Sequence, residues 1–304
     1  CRRFMDIRAR WKLVGQIGLA ILAVYFGFKI ENIEGPFFQK LDLEFWSIPL
    51  TILWIVGIIN AINLIDGLDG LASSIILIIL VILSSLAHEM GKIELMLLMA
   101  VLIGSIVSFL SFNRPPASIF MGDSGSYFLG YLVAILSIWV CEKSIGTVSL
   151  FPLLILAVPI IDTTLSIFRR FLKGVPFYSA DKDHLHHRLL SKGLTTSQAV
   201  FILSGVSLIY GCLALSAHFF PGIQAYAYLS GIGLIWVLLY FLEYDVVRKP
   251  VSSIRGKNDL RKQRNLMIAL AEQIDHFFSK DSDIASTFQS FSYWCGLSGI
   301  SQYK

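Results

Sequence analysis

Charged residues are scarce in this chain of 304 residues. Asp, Glu, Lys and Arg make up 15% of it, whereas hydrophobic residues make up 55%. Apolar runs repeatedly approach the roughly 20 residues that an α-helix needs to cross a bilayer. A soluble globular protein is therefore excluded, and the sequence predicts an all-α, polytopic integral membrane protein.

Paired cysteines are also lacking. The four cysteines, Cys1, Cys141, Cys212 and Cys295, share no paired spacing, so the sequence suggests neither a disulfide framework nor a zinc ribbon. We expect them to be small apolar residues or free thiols. The formal net charge is only +4, so the position of the charges matters more than their sum, and we expect no nucleic-acid partner.

Hydropathy predicts eight transmembrane spans, near residues 14–28, 46–64, 70–87, 93–112, 126–141, 148–168, 198–217 and 223–243. An even number places both termini on one side of the membrane. Loops on that side carry twelve Lys and Arg residues before the C-terminal tail, and loops on the other side carry four. The positive-inside rule makes the first side cytoplasmic. We therefore expect a multi-pass protein of the inner or plasma membrane with both termini of this chain in the cytoplasm.

The second predicted span ends in a run of Asn, Asp and Gly, namely Asn60, Asn63, Asp66, Gly67, Asp69 and Gly70. The Asn and Asp residues recur every three residues, which places them on roughly one face if the helix continues. The glycines allow a tight turn and the close approach of a ligand. In the alternative interpretation, the Asn residues join helices and the Asp residues cap the next helix. Two Asn, two Asp and two Gly residues, however, are more than helix contacts and capping require.

A second polar segment runs from Phe112 to Ser126 and contains two prolines followed by Gly-Asp-Ser-Gly. Such a turn at the start of a helix points N–H groups at a ligand, which suits phosphate. Asp123 offers hard oxygen ligands to Mg²⁺, and Phe120 can stack on a base. A serine nucleophile is the alternative, but the segment lacks the nucleophile-elbow pattern.

The third polar segment contains His184, His186, His187 and Arg188, and Arg169 and Arg170 precede it. Arg and His suit the recognition of a nucleotide diphosphate. A zinc site remains an alternative, although there is no His-Glu-x-x-His pattern and no Cys partner. A solvated basic loop would explain the arginines but not the histidines. All three segments fall in predicted cytoplasmic loops, so we expect them to converge on one site.

Together the three motifs, Asn60 to Ala72, Asn113 to Gly125 and His184 to Leu189, resemble the polyprenyl-phosphate N-acetylhexosamine-1-phosphate transferase family over about residues 8–243. Members transfer a sugar 1-phosphate from a UDP-sugar to undecaprenyl phosphate, release UMP and require Mg²⁺. The His-Leu-His-His form resembles the branch that uses donors like UDP-N-acetylglucosamine and starts O-antigen lipopolysaccharide, common antigen, teichoic acid or capsule. The peptidoglycan branch, which takes UDP-N-acetylmuramoyl-pentapeptide, is the alternative.

The resemblance also implies roles for individual residues. Asp123 would ligate Mg²⁺, or Mn²⁺ in its place, with Asn63 as a second ligand. Phe120 would stack on uracil, and Asp69 would accept a hydrogen bond from the uridine. The predicted catalytic residues are Asp66, Asp69, Asp123 and His184. The predicted substrate-binding residues are Asn60, Asn63, Phe120, Arg170, His186, His187 and Arg188.

Two features depart from the family's pattern. Members have ten or eleven spans and an Asp-Asp pair shortly before Arg10-Trp-Lys12-Leu13, but Arg2 and Arg3 stand near that place. We therefore expect that an N-terminal part is missing and that this chain alone is weakly active or inactive.

The sequence divides into a transferase domain at 1–244 and a cytoplasmic tail at 245–304. Within the tail, residues 259–278 favour an amphipathic helix, which leaves membrane-surface contact and homodimer formation equally open. A transporter is the alternative from another class. Transporters place their acidic residues near the bilayer midplane, whereas these lie at span ends.

Overall fold

The computed structural model describes residues 9–144, 147–173 and 184–242. Ten α-helices lie in those ranges: α1 Ala9–Tyr25, α2 Ser47–Ile65, α3 Leu71–Glu89, α4 Ile93–Asn113, α5 Gly122–Cys141, α6 Phe151–Ile155, α7 Ala157–Lys173, α8 Leu185–Ser191, α9 Thr196–Phe219 and α10 Gln224–Phe241. The predicted tail at 245–304, the pair Arg2 and Arg3, and Asp181 to Asp183 lie outside the described residues.

Six helical stretches are long and apolar enough to cross a membrane: Glu44–Ile65, Leu71–Glu89, Ile93–Asn113, Gly122–Cys141, Thr196–Phe219 and Pro221–Phe241. They confirm a mainly helical, polytopic membrane protein. The remaining two predicted spans also contain helix. One is α1, which has 17 residues, and the other is divided at Leu156 between α6 and α7. Eight crossings, and the side on which each loop lies, therefore stay predictions.

The central helix of the bundle is α3, which packs against α4, α5 and α9. Ile75, Ile79 and Leu83, on one side of α3, are fully buried. Small residues let other helices approach closely. At Gly130 of α5, a Cβ atom would lie 2.9 Å from Cα of Ile59 in α2. The α2–α5 pair therefore requires glycine, and it fixes the relative position of the two helices that carry Asn63 and Asp123.

A small four-stranded sheet joins the ends of α1, α2, α5 and α6 that lie away from the polar loops. Its strands are β1 Asn32–Gly35, β2 Phe38–Asp42, β3 Glu142–Ser144 and β4 Thr147–Ser149, in the order β2-β1-β4-β3. β1 pairs antiparallel with β2 and parallel with β4. The prediction of helices alone missed this sheet, because strands of three to five residues give no clear alternating pattern.

Lys92, between α3 and α4, caps the C-terminal end of α5 at that same end of the bundle. Its ammonium group donates to the carbonyl oxygens of Trp139 at 2.7 Å and Glu142 at 2.9 Å. The last carbonyls of a helix have no partner within the helix, and a cation there also complements the helix dipole. The opposite end of α5 begins at Gly122 and faces the polar loops.

Candidate active site

Asn113 joins the Asp66–Gly70 loop to the segment that follows α4. Its side-chain oxygen accepts hydrogen bonds from the Gly70 N–H at 3.1 Å and from the Ser73 hydroxyl at 2.7 Å, and its amide nitrogen donates to the Ile119 carbonyl at 2.9 Å. Gly70 has φ +78°, a left-handed conformation that favours glycine. The buried Asn113 amide therefore positions both loops together.

Asp69 makes a second bond between the same loops, because its Oδ2 accepts from the Ala117 N–H at 3.0 Å. Asn60, Asn63, Asp66 and Asp69 would share one face only if the helix continued past Asp66, and it does not. Helix α2 ends at Ile65, and Asp66, with φ −75° and ψ +43°, leaves the helical conformation. Asp69 therefore lies in a loop, where its position depends on the neighbouring segment and not on helical spacing.

Asp123 lies in the first turn of α5, as expected for a Gly-Asp-Ser-Gly turn that opens a helix. Its Oδ2 lies 2.5 Å from the Lys12 ammonium nitrogen, and its Oδ1 accepts from the Asn63 amide at 3.3 Å. The Asn63 amide also donates to the Ser126 hydroxyl at 2.9 Å. The Asp123 side chain remains 56% exposed, so it is positioned by α1 and α2 while open to a ligand.

Asn60 lies one turn deeper along α2. Its amide donates to the Gln16 side-chain oxygen of α1 and to the Val56 carbonyl, both at 2.7 Å. Asn60 therefore matches the alternative interpretation, in which an amide joins two helices. Asn63, in contrast, faces Asp123. Sequence reasoning assigned no role to Gln16 or Lys12, although polar side chains within the apolar α1 were the signal for both.

Burial, and to a lesser extent the negative charge of Asp123, together raise the pKa of Asp66 to about 6. The negative charge of Asp123 thus opposes the ionisation of Asp66, and a divalent cation between the two carboxyl groups would offset that repulsion. Mg²⁺ typically binds through one or two carboxylates and completes its coordination with water and substrate phosphates. The carboxylate oxygens of Asp123 and Asp66 could therefore hold a magnesium ion that is shared with a phosphate ligand, whereas Asn63 presents its amide nitrogen to Asp123.

The histidine segment forms α8, and it is positioned by an acid that sequence reasoning missed. Asp162 of α7 is 1% exposed. Its Oδ2 lies 3.0 Å from His184 Nδ1, and its Oδ1 accepts from the Leu185 N–H at 2.8 Å. The available signal was a lone carboxylate within a predicted span.

His186 is 2% exposed, and its ring lies over Gly67. A Cβ atom on Gly67 would be 2.5 Å from His186 Nε2. Burial lowers the pKa of His186 to about 4, so this imidazole is neutral near pH 7. Its ring stacks on that of His184, with centroids 5.6 Å apart. Of the three histidines, His187 alone is exposed. Among the described residues, no group of three His, Cys, Asp or Glu side chains is arranged to hold a metal, so a zinc site gains no support.

The remaining predicted site residues lie around these groups. Phe120 is 73% exposed. Arg188 is half-buried and donates to the Leu242 carbonyl at 3.4 Å. Arg170 is half-buried near the end of α7. The three polar segments meet at one end of the bundle, through Asn113 and Asp69 on one side and His186 on the other, so their predicted convergence is confirmed.

The family model of glycosyl transferase family 4 matches residues 4–141. This range contains the first two polar segments, Lys12 and Asp123. Over this range the chain is similar to glycosyl transferase family 4. The match ends before α7 and α8 and does not include the histidine segment.

The chain is also similar to individual proteins from several bacteria. The chain is 41% identical over 240 residues to a "Probable undecaprenyl-phosphate N-acetylglucosaminyl 1-phosphate transferase" of Bacillus subtilis (strain 168), covering 78% of this chain and 65% of the relative. It is 37% identical over 119 residues to a decaprenyl-phosphate N-acetylglucosaminephosphotransferase of Mycobacterium leprae, covering 35% and 30%. It is 29% identical over 155 residues to an undecaprenyl-phosphate alpha-N-acetylglucosaminyl 1-phosphate transferase of Salmonella typhi, covering 48% and 40%. The chain thus spans 65% or less of the length of these relatives.

Proposed function

We propose that the protein transfers N-acetylglucosamine 1-phosphate from UDP-N-acetylglucosamine to a polyprenyl phosphate, undecaprenyl phosphate in particular, and releases UMP. The observation that carries the proposal is the meeting of Asp66, Asp123 and α8 at one end of a bundle of apolar helices. A water-soluble donor and a membrane-bound acceptor can both reach that position. The names of the Bacillus, Mycobacterium and Salmonella relatives support the same reaction.

The reaction exchanges one phosphoanhydride bond for another. An oxygen of the lipid phosphate attacks the β-phosphorus of the UDP-sugar, and the bond from that phosphorus to the bridging oxygen breaks. UMP leaves with the bridging oxygen, and the lipid retains the sugar diphosphate. Such a transfer requires positioning of two anions and neutralisation of their charge more than covalent chemistry by the protein.

The protein supplies positive charge from two directions. Lys12 places an ammonium group beside Asp123, and the guanidinium group of Arg188 lies on α8. Asp123, with Asp66, would hold Mg²⁺, and bound Mg²⁺ supplies charge against the diphosphate oxygens. Phe120 offers an exposed ring on which the uracil can stack. Asp69 already accepts from Ala117 through Oδ2, and we assign the uridine contact to its other oxygen.

The direct test is UMP release by membranes that contain the full-length protein. We expect release to require the UDP-sugar, undecaprenyl phosphate and Mg²⁺ together, because each contributes to one site. Membranes that carry Asp123→Asn at equal abundance are the matched control. Release that continues without the lipid phosphate would show hydrolysis of the donor and would contradict the proposal.

A panel of donors decides between the branches of the family. We expect UDP-N-acetylglucosamine to be used and UDP-N-acetylmuramoyl-pentapeptide to be rejected. The relatives named above all act on N-acetylglucosamine by name. The product would then begin a lipid-linked cell-surface polysaccharide such as lipopolysaccharide or teichoic acid. A transporter would move a solute without forming UMP, so the same assay separates that alternative.

A further inference from the structure

Asp162 combines deep burial with a carboxyl group whose two oxygens both have polar partners. A buried carboxylate is costly unless hydrogen bonds compensate for the water it has lost. Both oxygens of Asp162 have partners, and both partners belong to the start of one short helix: the His184 ring and the Leu185 N–H of α8. This carboxyl group therefore attaches the start of α8 to α7.

The opposite side of α8 contacts the Asp66–Gly70 loop. The His186 ring lies so close to Gly67 that no side chain fits there, while Leu185 and Leu189 are buried in the hydrophobic core. α8 is thus clamped between Asp162 on one side and Gly67 on the other. His184 and His186 stack within this clamp, with their ring planes 3° from parallel.

We propose that Asp162 is a positioning residue, which fixes α8 against the Asp66–Gly70 loop and thereby sets the distance between His187, Arg188 and the acidic groups of the site. Asp162 does not touch the substrate in this account and acts through His184 and Leu185. The positioning of α8 does not depend on the proposed function. Only the identity of the ligand, the diphosphate group of a UDP-sugar, rests on that function.

The rival interpretation is that Asp162 stabilises the bundle in general. A general role predicts looser packing in α2, α3 and α5 as well when the carboxylate is removed. The positioning role predicts a change confined to α8 and the Asp66–Gly70 loop, with weaker binding of the donor. The two roles therefore predict looser packing in different segments of the protein, and not only different residual activities.

Backbone hydrogen exchange of the purified chain in detergent measures this directly. Asp162→Ala removes the acceptor of the Leu185 N–H, so we expect exchange in peptides covering α8 to rise by roughly tenfold or more. Exchange in α3 should stay unchanged. Asp162→Asn keeps one oxygen that can accept from the Leu185 N–H. Its NH2 group, however, can donate to His184 Nδ1 only if the His184 ring adopts the tautomer without a proton on Nδ1. We therefore expect a smaller rise for Asp162→Asn. Thr164→Ala, at an exposed position of the same helix, is the matched control.

The Gly67 side of the clamp offers a second, independent variant. Gly67→Ala places a Cβ atom 2.5 Å from His186 Nε2, which must displace the ring. We expect faster exchange in α8 here too, although the substitution lies in a different loop. Gly57→Ala is the control, because a Cβ atom on Gly57 meets no atom within 4 Å.

Binding of UDP-N-acetylglucosamine in the presence of Mg²⁺ completes the test. We expect the dissociation constant to rise by roughly tenfold or more for Asp162→Ala and Gly67→Ala, and to stay unchanged for Thr164→Ala and Gly57→Ala. Exchange in α8 equal to that of the wild type, or equally faster exchange in α2, α3 and α5, would overturn the proposal. Faster exchange in α8 with unchanged donor binding would also overturn it. If the wild type binds no UDP-sugar, the proposed function fails, while hydrogen exchange still decides whether Asp162 positions α8.

Discussion

Asp123 is contacted from two helices, by the Lys12 ammonium of α1 and the Asn63 amide of α2. We expect Asp123→Asn to abolish Mg²⁺-dependent transfer while the protein still reaches the membrane, because a neutral amide is a much poorer ligand for a hard cation. UMP release at a series of Mg²⁺ concentrations is the measurement.

The matched control for this substitution is Asp42→Asn in β2. Asp42 is also exposed and paired with a lysine, Lys40, at 3.4 Å, but it lies at the other end of the bundle. The control removes the same charge and should leave the Mg²⁺ dependence unchanged. Near-normal turnover of Asp123→Asn at limiting Mg²⁺ would contradict the metal role.

His186 makes stability depend on pH. Its pKa is about 4 in the folded protein and about 6.5 when exposed. The unfolded chain therefore binds a proton more readily, and stability is lost as the pH falls from 6.5 towards 4. At full protonation the loss is on the order of 3 kcal/mol. Melting temperatures between pH 8 and 5 should therefore fall more steeply for the wild type than for His186→Asn. Parallel curves would show that His186 is not buried in its neutral form.

Residue types at the site could be predicted from the sequence, but their exposure could not. The three histidines look equivalent in the sequence. In the structure, His186 is buried because its ring contacts Gly67, whereas His187 is exposed. Asn60 and Asn63 likewise carry the same side chain, but Asn60 lies in the interface between α1 and α2, where its amide donates to Gln16. Each outcome depends on a residue far away in the sequence, which no local pattern contains.

At the scale of the elements, the α2–α5 contact determines where Asp123 lies. Gly130→Ala would place a Cβ atom 2.9 Å from the Ile59 Cα, and backbone cannot move aside as a side chain can. We expect a loss of roughly 1 to 3 kcal/mol in stability, together with weaker transfer as α5 shifts. Thermal unfolding in detergent measures the first effect.

Gly104→Ala in α4 is the control for Gly130→Ala, because a Cβ atom there meets no atom within 4 Å. It should be neutral or slightly stabilising, since alanine is the better helix former. Equal stability of the two variants would show that α2 and α5 are not in close contact at Gly130.

Long apolar helices were predictable because a span of about 20 apolar residues has few alternatives in a membrane protein. The break between α6 and α7 at Leu156 was missed, although Pro159 was a signal. Proline has no N–H group and is tolerated in the first turn of a helix, so it favours a new start near residue 157. The small sheet was missed because its pairing joins the α1–α2 and α5–α6 connections, and such long-range contacts leave no local pattern.

At the scale of the whole molecule, the distribution of Lys and Arg predicts that the catalytic loops face the cytoplasm. We expect a cysteine at Ser118, exposed beside the site, to resist a membrane-impermeant maleimide in intact cells. A cysteine at Lys40, exposed in β2, should react. Both are tested in a chain whose four native cysteines, Cys1, Cys141, Cys212 and Cys295, are replaced, and permeabilised cells provide the labelling control. Reaction at Ser118 alone would reverse the predicted orientation.

In the proposed reaction the sugar moves together with its phosphate. UDP-N-acetylglucosamine labelled with ³²P at the β-phosphorus distinguishes this transfer from transfer of the sugar alone, in membranes that contain the protein and undecaprenyl phosphate. We predict that the label moves to the lipid fraction in amounts equal to the unlabelled UMP released. Transfer of sugar to the lipid with the label retained in UDP would contradict the proposed reaction, because the bond broken would then be the one between sugar and phosphate.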